Sequence, residues 1–205
     1  MQTRRHIFSA PLLGLTALLL SCQSTSFVSS SPRALTTMAT QPISARNSAS
    51  LRFPQDWQGS WQGQCSNTGP AGVQTYAPVN MTLIIQPKTR AANSDWQWRI
   101  EYRSPQENQV RDYTLKAVDA AKGHWLIDEH NGILLDNFMV TPQLVLEQFS
   151  VGQTLLMGRH ELVNDKQIKV ELTSFSLQGA RNSGAEPYPV SSFKLLSLQS
   201  CLLSK

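Results

Sequence analysis

Residues 95–103 carry the strictest pattern in the chain: Trp96, Trp98, Ile100 and Tyr102 alternate with Gln97, Arg99, Glu101 and Arg103. A period of two puts the apolar set on one face of an extended strand and the polar set on the other, which fits a half-buried strand and not a helix. Such a strand cannot bury its apolar face alone and requires neighbours of the same kind. They follow. Residues 79–86 are β-branched and apolar up to Pro87, 110–118 bring Tyr113 and Leu115 inward, and 124–130 form the next run. Asn131-Gly132 between apolar segments predicts a type I′ hairpin turn, with the chain returning through 133–140. Pro142, Gly152 and Asn164-Asp165 mark turns between runs at 144–151, 153–163 and 167–177, and the last run is 190–203. Residues 66–77 and 179–189 read as loops. No internal repeat and no helical period interrupts the series. An antiparallel meander of this kind leaves two bare edges unless it closes on itself. The prediction is an all-β chain, with one antiparallel up-and-down barrel of about eight to ten strands over 51–205.

What precedes the barrel is of another composition. Arg4, Arg5 and His6 lead into an apolar run over 7–20, too short for a helix that crosses a bilayer, which takes about 20 apolar residues, and fitting a signal peptide. The run ends in Leu19-Leu20-Ser21-Cys22, which resembles a bacterial lipobox. The resemblance implies cleavage after Ser21, so that 1–21 is a lipoprotein signal peptide, and acylation of Cys22. It also implies a partner, the membrane, reached through the N-terminal lipid. Gln23, where an aspartate would retain the protein at the inner membrane, points to the outer membrane and its periplasmic face. The rest of 22–50 is rich in Ser, Thr, Ala and Pro, without an acidic residue or a period, and reads as a flexible tether.

Charge takes its meaning from that division. Arg4, Arg5, Arg33 and Arg46 precede Leu51, which leaves the barrel near neutral, with 14 acidic residues matched by the remaining lysines and arginines. The basic whole-chain balance therefore gives no support for nucleic-acid binding. With Cys22 acylated, Cys65 and Cys201 are the remaining cysteines. Closure sets the first strand beside the last, export places both thiols in an oxidising compartment, and a Cys65–Cys201 disulfide is predicted.

Trp57-Gln58-Gly59-Ser60-Trp61 resembles the first signature of the lipocalins, an aromatic followed by Gly-x-Trp at the entry to strand one. The resemblance implies that Trp61 closes the narrow end of the barrel, that Gly59 permits close chain approach there, and that the open end holds a small apolar ligand. In place of the arginine that stacks on that tryptophan, the last strand offers Lys194. The inward residues Trp96, Trp98, Ile100, Tyr102, Tyr113 and Leu115 are the candidate ligand lining; the same aromatics in a filled barrel would suit a structural or protein-interaction lipoprotein of the envelope.

Enzyme signatures are missing: no Gly-x-Ser-x-Gly, phosphate loop, His-Glu-x-x-His or zinc cysteine pairs. His124, Asp128 and His130 share one face of their strand, but His124 lies about 13 Å from Asp128 at ~3.3 Å per residue, so the strand alone makes no three-ligand site. They read as a solvated face. His160, on a face with Leu156 and Leu162, reads as a hydrogen-bonded structural histidine in preference to a haem ligand. No catalytic residue, metal or cofactor is expected, and oligomeric state leaves no mark on the sequence.

Overall fold

Ten strands run antiparallel in chain order and close, with the first beside the last, in a computed structural model that describes residues 51–88, 95–105 and 108–205. They are β1 (Gly59–Thr68), β2 (Gln74–Pro87), β3 (Trp96–Arg103), β4 (Asn108–Asp119), β5 (His124–Asp128), β6 (Leu134–Thr141), β7 (Leu144–Val151), β8 (Thr154–Asn164), β9 (Gln167–Ser183) and β10 (Val190–Ser204). The expected signal peptide, Cys22 and the expected tether lie outside the described residues. Among the described residues no helix is long and apolar enough to cross a membrane.

The β1–β10 seam pairs Gln62 with Ser204 through to Thr68 with Leu198, and it sets Cys65 directly opposite Cys201. The two sulfurs are bonded, 2.00 Å apart. Alternation decides the faces as expected: Trp96 and Trp98 are buried, and Trp125 and Ile127 of β5 also point inward.

Three expectations are corrected. The expected loop 66–77 is mostly strand, since β1 runs to Thr68 and β2 starts at Gln74 around a short turn at Pro70–Gly72. Likewise β9 extends to Ser183 beside β10. In both places a neighbour across the closed sheet supplies ladder partners, which outweighs polar composition. The Asn131-Gly132 hairpin exists, but as a five-residue loop: positive φ falls at His130 (61°) and Gly132 (92°), and β5 stops at Asp128. Side chains build that loop. The Asp128 carboxylate accepts from the His130 N–H at 2.8 Å, Asn131 Oδ1 accepts from the Ile133 N–H at 2.9 Å, and the Glu129 N–H donates to the Ile133 carbonyl at 3.1 Å.

One end of the barrel is plugged. A 3-10 turn at Gln55–Trp57 folds Phe53 and Trp57 under the sheet, where the Phe53 ring meets Trp57 and Trp125 edge-on at 5.1 Å each. Trp61 is fully buried; its Nε1–H donates to the Trp57 carbonyl at 2.9 Å, and Trp57 Nε1–H donates to the Pro142 carbonyl at 3.0 Å. Lys205, not Lys194, supplies the cation over Trp61, with Nζ 4.4 Å from a ring centre, while Lys194 is exposed on β10. Gly59 has φ of 150°, and a Cβ there would lie 2.5 Å from Lys205 Cε, so the glycine admits this contact.

Candidate functional site

Above the plug the interior changes character. Leu83, Ile85, Trp96, Leu115 and Leu203 fill the lower barrel as a packed layer. Over that layer lies an inner chamber of about 70 Å³, lined by Trp98, Ile100, Tyr102 and Tyr113, with Phe149 and Leu172 across from them. The polar residues Arg111, Glu129, Glu147, His160 and Gln199 line the same chamber, as does Glu171, whose carboxylate is paired with Lys169 at 2.7 Å. Four of the six expected lining residues thus meet at one place, whereas Trp96 and Leu115 belong to the packed layer.

The chamber leads to the open end. A hollow of about 1090 Å³ continues from it between β4 and β9, walled by Tyr113, Ile133, Leu135, Phe149, Leu156 and Leu172. A second hollow, of about 590 Å³, lies toward β1 and β2 and shares Tyr102, Arg111, Leu172 and Gln199 with the chamber. Interior hydrogen bonds hold the walls. The Tyr102 hydroxyl donates to Gln199 Oε1 at 3.1 Å, and Gln199 Nε2–H donates to Asn67 Oδ1 at 3.4 Å.

The expected outer polar face of β5 is where the sequence puts it. His124 Nε2 lies 2.7 Å from Asp136 Oδ1 with its ring stacked on Phe138, Lys116 Nζ donates to Asp128 Oδ2 at 2.7 Å, and His130 Nε2 lies 2.7 Å from Thr114 Oγ1. The Lys116 ammonium and the His130 N–H hold the Asp128 carboxyl below the usual carboxylate range. These residues pair with wall neighbours and do not converge on the chamber. Among the described residues no three His, Cys, Asp or Glu side chains are placed to hold a metal ion.

His160 departs from its reading as a hydrogen-bonded histidine. It projects inward from β8 beside Trp98, at 5.3 Å between ring centres, and neither ring nitrogen has a hydrogen-bond partner among the described residues. Glu147 of β7 comes closest, with Oε1 3.8 Å from His160 Nε2. Burial drives both groups toward neutrality: Glu147 is pushed up to about 7, against a smaller opposing effect from Asn137, and His160 is lowered to about 4. Burial also raises the Tyr102 and Tyr113 hydroxyls.

Glu147 escapes a reading of the sequence because a carboxylate between Leu146 and Gln148 looks like part of the wet face. The usable signal is its phase: Val145, Glu147 and Phe149 alternate, and the two apolar members point in. The space it fills comes from β8. Gly158 is paired with Glu147, and a Cβ on Gly158 would stand 2.4 Å from Glu147 Cγ and 2.3 Å from Oε1.

The opposed shifts make a pH prediction. An unfolded His160 binds a proton below 6.5 that the folded one refuses down to about 4, so this group makes stability rise with pH across that window. A folded Glu147 keeps a proton up to about 7 that the unfolded one loses near 4.5, so stability falls as pH rises across that window. Each linkage is worth about 3 kcal/mol, and the two offset each other where the windows overlap. Urea unfolding of Glu147→Gln should show stability rising with pH, and His160→Gln should show it falling. Parallel profiles for the two variants would contradict this account of the interior.

No protein-family model and no curated protein matches the sequence. Solved structures do. The chain is similar to a protein of unknown function of the DUF3598 family from Nostoc punctiforme, with a TM-score of 0.51 at 14% identity over 76% of this chain and 49% of that one. It is also similar to the S-type phycobiliprotein lyase CPES from Guillardia theta, with a TM-score of 0.51 at 12% identity over 74% of this chain and 89% of that one. The fold is a lipocalin-like barrel. This lipocalin-like chain spans about half the length of the DUF3598 protein, and identities this low carry fold alone.

Proposed function

We propose that this protein is a lipid-anchored barrel of the cell envelope that binds a small, mainly apolar molecule in its open half. The observation that carries the reading is the hollow of about 1090 Å³ above the chamber, walled by Phe149, Leu156, Leu172, Leu135 and Tyr113. Ligand sites are concave and combine apolar walls with polar groups that fix orientation, and this hollow sets those apolar side chains beside Gln109, Arg111, Glu129 and Thr154 at the mouth of a barrel. Water in it gains nothing from the apolar walls, and an apolar body placed there would gain about 25 cal/mol for each Å² removed from water. Cys22 supplies the anchor in this reading, with Gln23 directing the protein to the periplasmic face of the outer membrane.

Two measurements on one preparation test it. Metabolic labelling with a fatty-acid probe should mark the protein and fail on Cys22→Ser, which should move to the soluble periplasm; equal labelling of both removes the anchor. Mass spectrometry of natively purified protein should release a bound small molecule. A preparation that releases nothing and binds no apolar probe would leave the structural envelope role, which the filled lower half of the barrel favours.

A further inference from the structure

The inner chamber holds more hydrogen-bond acceptors than its own donors engage. Glu147 reaches it from β7, Glu129 from the β5–β6 loop, and His160, kept uncharged by burial, carries a lone pair on one ring nitrogen and an N–H on the other, neither of them partnered among the described residues. Arg111 is the one lysine or arginine among its described lining residues, and that side chain is engaged toward the mouth. Its Nη2–H donates to Gln109 Oε1 at 3.0 Å, the guanidinium carbon lies 5.5 Å from the Tyr102 ring centre, and the Tyr113 hydroxyl interacts with both Arg111 and Glu129.

Glu147 has no such cation. Among the described residues no lysine or arginine lies within ion-pair distance of it, and the nearest basic group is the uncharged His160. A carboxyl group in this setting is stable with a proton or with an added cation, not as a bare anion. The backbone is also shaped around it. Glycine inside a strand weakens the strand, and Gly158 here leaves the space that the Glu147 side chain occupies. Trp98, Tyr102, Tyr113 and Phe149 turn aromatic rings toward the same chamber, and aromatic faces attract cations. The volume, about 70 Å³, is that of roughly two water molecules at ~30 Å³ each, enough for a primary ammonium but not for the body that carries it.

We infer that the chamber receives the ammonium group of an amphipathic amine, with Glu147 as its counter-ion and the aromatic rings around it, while the apolar body lies in the hollow above. The inference rests on the small-ligand reading and gives that ligand a chemical class. Below neutral pH the ligand enters as an ammonium, Glu147 loses its carboxyl proton to the buffer, and one ion pair forms; no bond of the ligand breaks. The groups that face Glu147 in that state are His160 from β8, Asn137 from β6, Tyr102 from β3, and Glu129 and Arg111 from the mouth side.

Calorimetry of the full barrel with n-octylamine, n-octanol and octanoate, just below neutral pH, separates the head group from a common apolar body. Octylamine should bind about tenfold tighter than either of the others, as one desolvated charge-assisted contact supplies. Its binding heat should vary with buffer ionisation enthalpy, since a proton is released. Glu147→Gln and Gly158→Ala should both erase the preference, with circular dichroism showing that each variant folds. Equal affinity for octanol and octylamine, or octylamine binding without proton release, would overturn the inference and leave the small-ligand reading intact. A preference for octanoate would do the same and make Arg111 the anchor. Failure of all three to bind would take both readings down.

Discussion

Cutting the Cys65–Cys201 bond, by reductant or by paired alanine substitution, is expected to lower the unfolding free energy by about 5 kcal/mol. The bond closes a sequence separation of 136 residues, so the unfolded chain gains a large set of conformations when it is cut. The folded state loses little besides, because the seam keeps its ladder on both sides of the pair, from Gln62–Ser204 to Thr68–Leu198. The reduced barrel should therefore still fold, with the same far-ultraviolet dichroism and a lower urea midpoint. Its dependence on urea should steepen slightly, since an uncrosslinked unfolded chain exposes more surface. A loss below about 1 kcal/mol would mean that the reduced unfolded chain remains nearly as restricted as the oxidised one.

That bond was legible in the sequence because three independent readings pointed to it: a meander that must close, an N-terminal run that resembles an export signal, and two cysteines in the first and last strands. The faces of β3 and β5 were legible for a similar reason, since a period of two has one solution once one side must be dry. What could not be read is where a run ends. Residues 66–68 and 181–183 are polar and look like loop, yet the closed sheet gives their backbones partners. The hairpin at Asn131-Gly132 was placed correctly and shaped wrongly, because Asp128 and Asn131 spend their side chains on the loop backbone. The candidate site divides the same way. The inward phase of Trp98, Ile100, Tyr102 and Tyr113 follows from alternation, and so does that of His160. Glu147 and Gly158 contradict the ordinary preference for apolar side chains in a barrel interior, and only their pairing across β7 and β8 explains either of them. Lys205 is equally opaque: its contact with Trp61 depends on where the last strand ends in space.

Replacing Trp61 with alanine is expected to cost about 4 kcal/mol, a much larger loss than any conservative change in the upper chamber. The ring is fully buried at the plugged end, so its removal forfeits transfer free energy and leaves a cavity walled by a packed layer that has little room to collapse. It also takes the hydrogen bond from the Trp57 carbonyl and the aromatic face from the Lys205 ammonium. Tyr102→Phe is the matching change in the chamber. It removes one hydroxyl from its bond to Gln199 beside existing open space, and it should cost about 1 kcal/mol. Urea midpoints of the two variants compare the ends of the barrel directly. A Trp61→Ala loss no larger than that of Tyr102→Phe would refute the division proposed here, in which the plugged end carries stability and the open end is left free to carry a ligand. If the division holds, substitutions at Glu147, Tyr113 and Phe149 can change binding while the fold persists, because the layer that holds the barrel together lies beneath them.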